Sequence, residues 1–267
     1  MDDEYLSANQ KLWDQWTTEH EKSPFYDLEG FKAGKDRLRS IELTELGNVS
    51  GKSLLHLQCH FGMDTLAWAR RGAKVTGVDL SEKSVELARS LSEELDIPAI
   101  FVCSDIYQLP ENLSGEFDIV FTSYGVLHWL KDLSQWAKVV AHFLKPNGIF
   151  YIVEDHPTFR MFTTQDGTKI KLDNPYFHTE KPYQMEMTGS YATDNKGETV
   201  SFYMWDHGIG EVVTSIIDAG LTIEFLHEFP YAARAKFPFM EQGEDGWWRL
   251  PKEYVQIPFL FSLQARK

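Results

Sequence analysis

Cysteine is scarce in this chain. The 267 residues hold two, Cys59 and Cys103, and each falls in an apolar run that reads as the end of a strand. That excludes a disulfide framework and points to a reducing compartment. Positive charge is also in deficit, with 26 basic against 40 acidic residues and a net charge of −14. Such a field repels phosphate backbones and anionic membrane surfaces. The best basic cluster, "FKAGKDRLR" at 31 to 39, is short and helical in pattern, and reads as a solvated helix face. No apolar run approaches the roughly 20 residues needed to span a bilayer. The N-terminus "MDDEYLSANQ" is acidic and polar, unlike a signal peptide. These absences lead us to expect a soluble, cytoplasmic protein with no nucleic-acid or membrane partner.

What is present is a repeating α/β pattern. The runs "SLLHL" (53 to 57), "KVTGVD" (74 to 79), "AIFVC" (99 to 103), "FDIVFTS" (117 to 123) and "IFYIVE" (149 to 154) read as strands of a mostly parallel sheet. Helices are expected between them: 63 to 71, stopped by Gly72; one capped by Ser81; and 132 to 144, ended by "KPNG". A further helix at 210 to 219 precedes two more strands, 221 to 229 and 257 to 265. With no crossover helix between them, those two are most easily joined antiparallel.

Two stretches stand outside this repeat, 157 to 207 and 230 to 256. Both are rich in aromatics, among them Phe159, Tyr176, Tyr191, Trp205 and Trp247. Ordering such insertions requires burying their surface, which fits lids over a pocket. The expected organisation is a single domain: a helical N-terminal cap at 1 to 50, a core at 51 to 156 and 208 to 267, and a lid insertion at 157 to 207.

The stretch "LLHLQCHFGMDTLAWARRGAKVTGVDLS", 54 to 81, looks like a cofactor-binding strand, loop and helix that has lost most of its glycines. A cofactor with an adenosine half needs a turn after the first strand, a helix N-terminus and a carboxylate after the second strand. Here the turn is "QCHFG" and the carboxylate is Asp79. "CSDIYQLP" sets Asp105 after the third strand, where its carboxylate and the Ile106 amide are placed to read an adenine edge. This unit alone does not separate NAD from another adenosyl cofactor.

The ordered set of motifs resembles the class I S-adenosylmethionine-dependent methyltransferases over roughly 50 to 155 and 208 to 267. "LLHLQCHFG" resembles the first motif, "VTGVDLS" the ribose motif, "SDIYQLP" the adenine motif, and "FDIVFTSYGVLHWL" and "LKPNGIFYIVE" the fourth- and fifth-strand motifs. The resemblance implies a doubly wound α/β fold with a seven-stranded sheet in the order 3-2-1-4-5-7-6, strand 7 antiparallel. It implies S-adenosylmethionine as cofactor, with Asp79 on the ribose, Leu80 packed on the adenine, and Asp105 and Ile106 at the adenine edge. Gln58, Cys59, His60 and Gly62 would lie along the methionine portion, with Ser123 and Tyr124 beside the sulfonium. The family carries an acidic residue where this chain has His56, and glycines where it has Gln58 and His60.

The motif "TSYG" lacks the Asn/Asp-Pro-Pro-aromatic run of amino-methylating nucleic-acid enzymes, so a small-molecule acceptor is expected. If the acceptor must lose a proton, the candidate bases are His156, His128, Glu154 and His207, with His156 foremost because it follows the fifth strand. His56, Cys59 and His60 do not share a face of a strand and turn, and no metal is expected there. The alternatives are a NAD-dependent oxidoreductase built on the same first unit, or an S-adenosylmethionine-binding protein without catalysis.

Overall fold

The computed structural model describes residues 2–193 and 198–267. Residues 194 to 197 of the expected insertion lie outside the described residues. Three helices come first: α1 Asp2–His20, α2 Leu28–Lys32 and α3 Ser40–Leu46. The core follows as β1 Ser53–Leu57, α4 Met63–Arg70, β2 Lys74–Asp79, α5 Glu82–Glu94, β3 Ala99–Cys103, α6 Leu109–Asn112, β4 Phe117–Ser123, α7 Leu133–Phe143 and β5 Leu144–Asp155. After α8 Pro157–Met161 and the insertion, α9 Ile209–Asp218 leads into β6 Thr222–Phe229 and β7 Leu260–Arg266.

The seven strands form one sheet in the order β3-β2-β1-β4-β5-β7-β6. The first five are parallel, and β7 runs antiparallel to both β5 and β6, as the resemblance implies. Both faces of the sheet are covered, so its strands are continuous apolar runs. The period of two sends Leu54, Ile119, Phe121 and Tyr151 into one core layer, and Leu55, Leu57, Val120, Phe150 and Ile152 into the other. Helix α7 closes the second layer with Leu133, Trp136, Ala137, Val140 and Phe143, spaced three and four apart along one stripe.

Helix starts follow local chemistry. The Ser81 hydroxyl accepts the Ser84 N–H at 3.0 Å and caps α5. Asp132 accepts the Gln135 N–H at 2.9 Å and caps α7. Two strand starts differ from the sequence reading by more than one residue. Strand β5 begins at Leu144 rather than 149, because Leu144 already pairs with Phe117 and "KPNG" forms an irregularity at the start of the strand, with Asn147 and Gly148 bonded to Lys267. Strand β7 begins after Pro258, which has no N–H to give a ladder.

A larger difference concerns "FKAGKDRLR". The helix there stops at Lys32, Gly34 sits at φ 101°, and residues 35 to 39 have no regular structure. The segment is therefore not a solvated helix face, and Arg37 and Arg39 turn inward to line a cavity.

The insertion contributes a hairpin of Phe162–Gln165 with Lys169–Leu172 and another of Tyr183–Thr188 with Thr199–Met204. The second packs Phe202 and Met204 against Leu12 and Trp16 of α1. Residues 231 to 249 add a small three-stranded sheet, packed with Phe159 and Phe259. Among the described residues no helix is long and apolar enough to cross a membrane.

Candidate functional site

A cavity of about 520 Å³ opens at the carboxyl ends of the parallel strands, where an open α/β sheet binds its ligands. Gln58, Cys59, His60, Gly62, Asp79, Leu80, Asp105, Ile106, Ser123 and Tyr124, all of the expected cofactor residues, line it.

The loop after β1 is held by its own side chains. Gln58 and His60 adopt φ 57° and 51°, in the left-handed region that costs a side-chain-bearing residue roughly 1–2 kcal/mol. These are two of the positions where the family carries glycine. Bonds to neighbouring elements hold the loop in this shape. Gln58 Nε2 donates to the Val126 carbonyl at 3.2 Å. The His60 amide donates to Asp79 Oδ2 at 2.7 Å, and its ring nitrogens lie 3.0 Å from Ser84 Oγ and 2.9 Å from His20 Nδ1. Burial, then the neighbouring His20 and Arg37, hold the His60 imidazole well below the usual histidine range.

Gly62 has a different reason to be glycine. Its φ is 78°, and a Cβ there would lie 2.7 Å from the Phe101 ring and 2.9 Å from Ala88. The residue is required by packing behind the loop. Cys59 is buried with its amide bonded to Val78 and its carbonyl to Gly62, so both of its backbone groups are engaged within the fold.

Asp79 ends β2, accepting the His60 amide on one carboxylate oxygen and the Ser81 amide on the other, the latter at 2.9 Å. Burial raises its carboxyl to about 6 despite those bonds. Each oxygen keeps a lone pair, since a carboxylate offers about four acceptor sites. Asp105 accepts the Tyr107 amide at 3.2 Å, and burial raises its carboxyl too. Helix α1 lies over this end of the cavity: Gln10 donates to the Leu80 carbonyl at 3.1 Å, and Ser81 donates to Asp14 at 2.7 Å.

The candidate bases separate clearly. His128 lines the cavity, its imidazole held well below the usual range by burial, then by Arg160, Arg234 and His207. Glu154 is fully buried and takes up backbone amides, those of Gly125, Val126 at 2.8 Å, Leu127 at 3.2 Å and Asp155 at 2.6 Å. It shapes the turn after β4. His156 faces away from the cavity, with Nδ1 2.9 Å from Thr158 Oγ1 and Nε2 2.8 Å from Glu228. His207 has both ring nitrogens occupied, by the Leu130 carbonyl at 2.7 Å and Glu211 at 3.0 Å. It lies beside His178 and Glu211, away from the main cavity. His56 is buried at the inner wall of the cavity, with Nδ1 2.8 Å from Thr65 Oγ1.

Several residues that line the cavity or brace its wall had no signature in the sequence. Asp64, on the first turn of α4, lies 3.5 Å from both Arg37 Nε and Ser123 Oγ. Glu42 of α3 accepts the Tyr124 hydroxyl at 2.8 Å, and burial pushes its carboxyl up to about 7. Trp13 of α1 stands edge-on to His60 at 5.1 Å.

A seven-stranded sheet with one reversed strand, carrying a carboxylate at the end of β2 and another after β3 around one cavity, defines an α/β protein built to hold an adenosyl cofactor. A family model described as a methyltransferase domain matches residues 55–152. The ubiquinone biosynthesis O-methyltransferase of Bordetella avium is 30% identical over 195 residues, which covers 70% of this chain and 77% of that protein. The protein of the same name from Chromobacterium violaceum is 27% identical over 146 residues, 55% of this chain and 58% of that protein. The chain thus spans little more than half the length of several curated relatives it matches. An S-adenosylmethionine-dependent methyltransferase from Mesorhizobium loti shares the fold, with a TM-score of 0.57 at 21% identity over 82% of this chain and 93% of that one.

The chain belongs to the class I S-adenosylmethionine-dependent methyltransferases, a family whose cofactor is S-adenosylmethionine. These likenesses lend no support to the NAD-dependent alternative. The residues present fit that cofactor. Besides the spare lone pairs on Asp79, the Gln58 Oε1 is a buried acceptor with no partner among the described residues, suited to an ammonium group.

Proposed function

We propose that this protein transfers the methyl group of S-adenosylmethionine to an oxygen of a small-molecule acceptor. The observation that carries this reading is the single cavity that runs from Asp79 and Asp105 to Tyr124 and His128. When bound, the cofactor supplies an electrophilic methyl on a sulfonium. Asp79 accepts the ribose hydroxyls, Leu80 packs on the adenine, and Asp105 and the Ile106 amide hold its edge. Gln58 and the His60 loop contact the methionine portion, and Ser123 and Tyr124 border the transfer point. Methyl transfer is an in-line displacement, so positioning and exclusion of water account for most of the protein's task. Helix α1 and the aromatic hairpin of Thr199–Met204 exclude water from above. His128, kept neutral, accepts the hydrogen bond and then the proton of the acceptor hydroxyl. The oxygen acceptor is supported by the names of the Bordetella and Chromobacterium relatives.

Calorimetry with S-adenosylmethionine, S-adenosylhomocysteine and NAD tests the cofactor assignment. Binding of both methionine derivatives is expected, and NAD binding alone would overturn it. With an acceptor in hand, His128→Gln should lower kcat by about 100-fold while leaving S-adenosylhomocysteine affinity within twofold. Full turnover of that variant from pH 6 to 9 would remove the role given to His128.

A further inference from the structure

The part of the cavity wall built from segments outside the sheet is cationic, in a chain whose net charge is −14. Arg37, Arg39, Arg160, Arg234 and Lys236 all line it. Three carboxylates answer three of these side chains. Asp64 lies 3.5 Å from Arg37, Asp206 lies 2.8 Å from Arg160, and Asp155 lies 3.1 Å from Arg234. Arg39 and Lys236 have no ion-pair partner of their own among the described residues. Arg39 donates to the Ala233 carbonyl at 3.0 Å and stacks over Trp247 at 5.0 Å. The Lys236 ammonium stands 4.9 Å from the centre of the Phe159 ring. The nearby Glu42 carboxyl is engaged by the Tyr124 hydroxyl at 2.8 Å and the Arg39 amide at 2.6 Å, and burial pushes it up to about 7.

Like charges gathered at one cavity wall without matching anions raise one another's energy, and a bound anion relieves that cost. Burial, and then the neighbouring Arg234, push the Lys236 ammonium down to about 8, with Asp155 opposing. The cations also come from separate segments. Arg37 and Arg39 precede α3, Arg160 is on α8, and Arg234 and Lys236 lie in the stretch after β6. Nothing in the sheet's own construction requires them to meet. The neighbouring walls are apolar rings, Phe159 and Tyr191, which Arg234 also faces. Guanidinium and ammonium groups both bind oxyanions, the guanidinium through two parallel N–H donors.

We propose that the acceptor is a small carboxylic acid whose carboxylate sits against Arg39 and Lys236. This rests on the methyl-transfer reading and narrows it to acceptors that carry a negative charge beside an apolar body. The adenosine end of the cavity presents the Asp79 and Asp105 carboxylates, whereas Arg39 and Lys236 present cations without an ion-pair partner among the described residues.

The test titrates matched acid and amide pairs (benzoate and benzamide, salicylate and salicylamide, cinnamate and cinnamamide) into the protein saturated with S-adenosylhomocysteine. At least one acid should bind ten times or more tightly than its amide. Lys236→Met and Arg39→Gln should each erase that preference while S-adenosylhomocysteine affinity stays within twofold, Arg39→Gln with a lower melting temperature because its bond to the Ala233 carbonyl and its stack on Trp247 are lost. Absence of any preference, or a preference that survives both variants, overturns the proposal. Inorganic phosphate is the third arm. If it displaces the acids more strongly than they displace one another, the site is a phosphate site and the carboxylate assignment fails. Loss of S-adenosylhomocysteine binding by the unaltered protein would overturn the methyl-transfer reading itself, a distinct outcome.

Discussion

The two ends of the cavity are built differently. At the cofactor end, each functional group lies at or just beyond the carboxyl end of a strand, and the backbone around it fixes it in place. Asp79 is tied to two amides, and His60 to Asp79, Ser84 and His20. At the other end, the groups are long cationic side chains from segments outside the sheet, brought together only by tertiary packing. Arg39 and Trp247, for example, are far apart in the chain but stack at 5.0 Å. One end is set by the fold that every member of the family must make. The other is assembled from insertions, which are free to differ without disturbing the sheet.

That difference decides what could be read from the chain. Strands β1 to β4 match the sequence reading at both ends because apolar runs bounded by turn residues carry their own signal. Asp79 and Asp105 were legible for the same reason, as carboxylates placed by strand ends. The start of β5 was not, since it depends on Leu144 pairing with Phe117 across the sheet. "FKAGKDRLR" misled because its spacing is helical while Gly34 and the extended run after it turn Arg37 and Arg39 inward. The histidines show the same limit. His156 follows the fifth strand as expected, yet Thr158 and Glu228 hold its ring away from the cavity, while His128 reaches it from the turn after β4.

The largest effect should come from Asp79→Ala, which attacks the rigid end at its centre. The buried amides of His60 and Ser81 would each lose their acceptor, at about 1–3 kcal/mol apiece. Loss of the proposed ribose contacts should weaken S-adenosylhomocysteine by about two orders of magnitude. Denaturant unfolding and calorimetry would measure the two. A variant that keeps its stability while losing affinity would show that the carboxylate serves the ligand and not the loop, and would blur the contrast drawn between the ends.

Gly62→Ala probes the packing behind the same loop. The added methyl would fall 2.7 Å from the Phe101 ring at a φ of 78°, so a loss of about 3 kcal/mol is expected from overpacking and left-handed strain together. Adding Phe101→Leu should recover less than half of it, because the clash with the ring is removed while the 2.9 Å approach to Ala88 and the backbone strain are not. If the double variant recovers nothing, the glycine is needed for the ligand's approach and not for the core.

The smallest effect is expected at Gln58, and it bears most directly on why this loop dispenses with glycine. Gln58 holds φ 57° while its Nε2 bonds the Val126 carbonyl at 3.2 Å. Gln58→Gly relieves about 1 kcal/mol of left-handed strain but removes a hydrogen bond worth about the same, so stability should change by less than about 0.5 kcal/mol. Gln58→Ala removes the bond and keeps the strain, so it should be less stable than Gln58→Gly by about 1 kcal/mol. Denaturation midpoints of the three proteins give the ordering directly. If alanine and glycine prove equal, the left-handed backbone at this position is not what the side chain supports. If both weaken S-adenosylhomocysteine at unchanged stability, the unpartnered Gln58 Oε1 acts on the ligand, and the missing glycine has been exchanged for a contact.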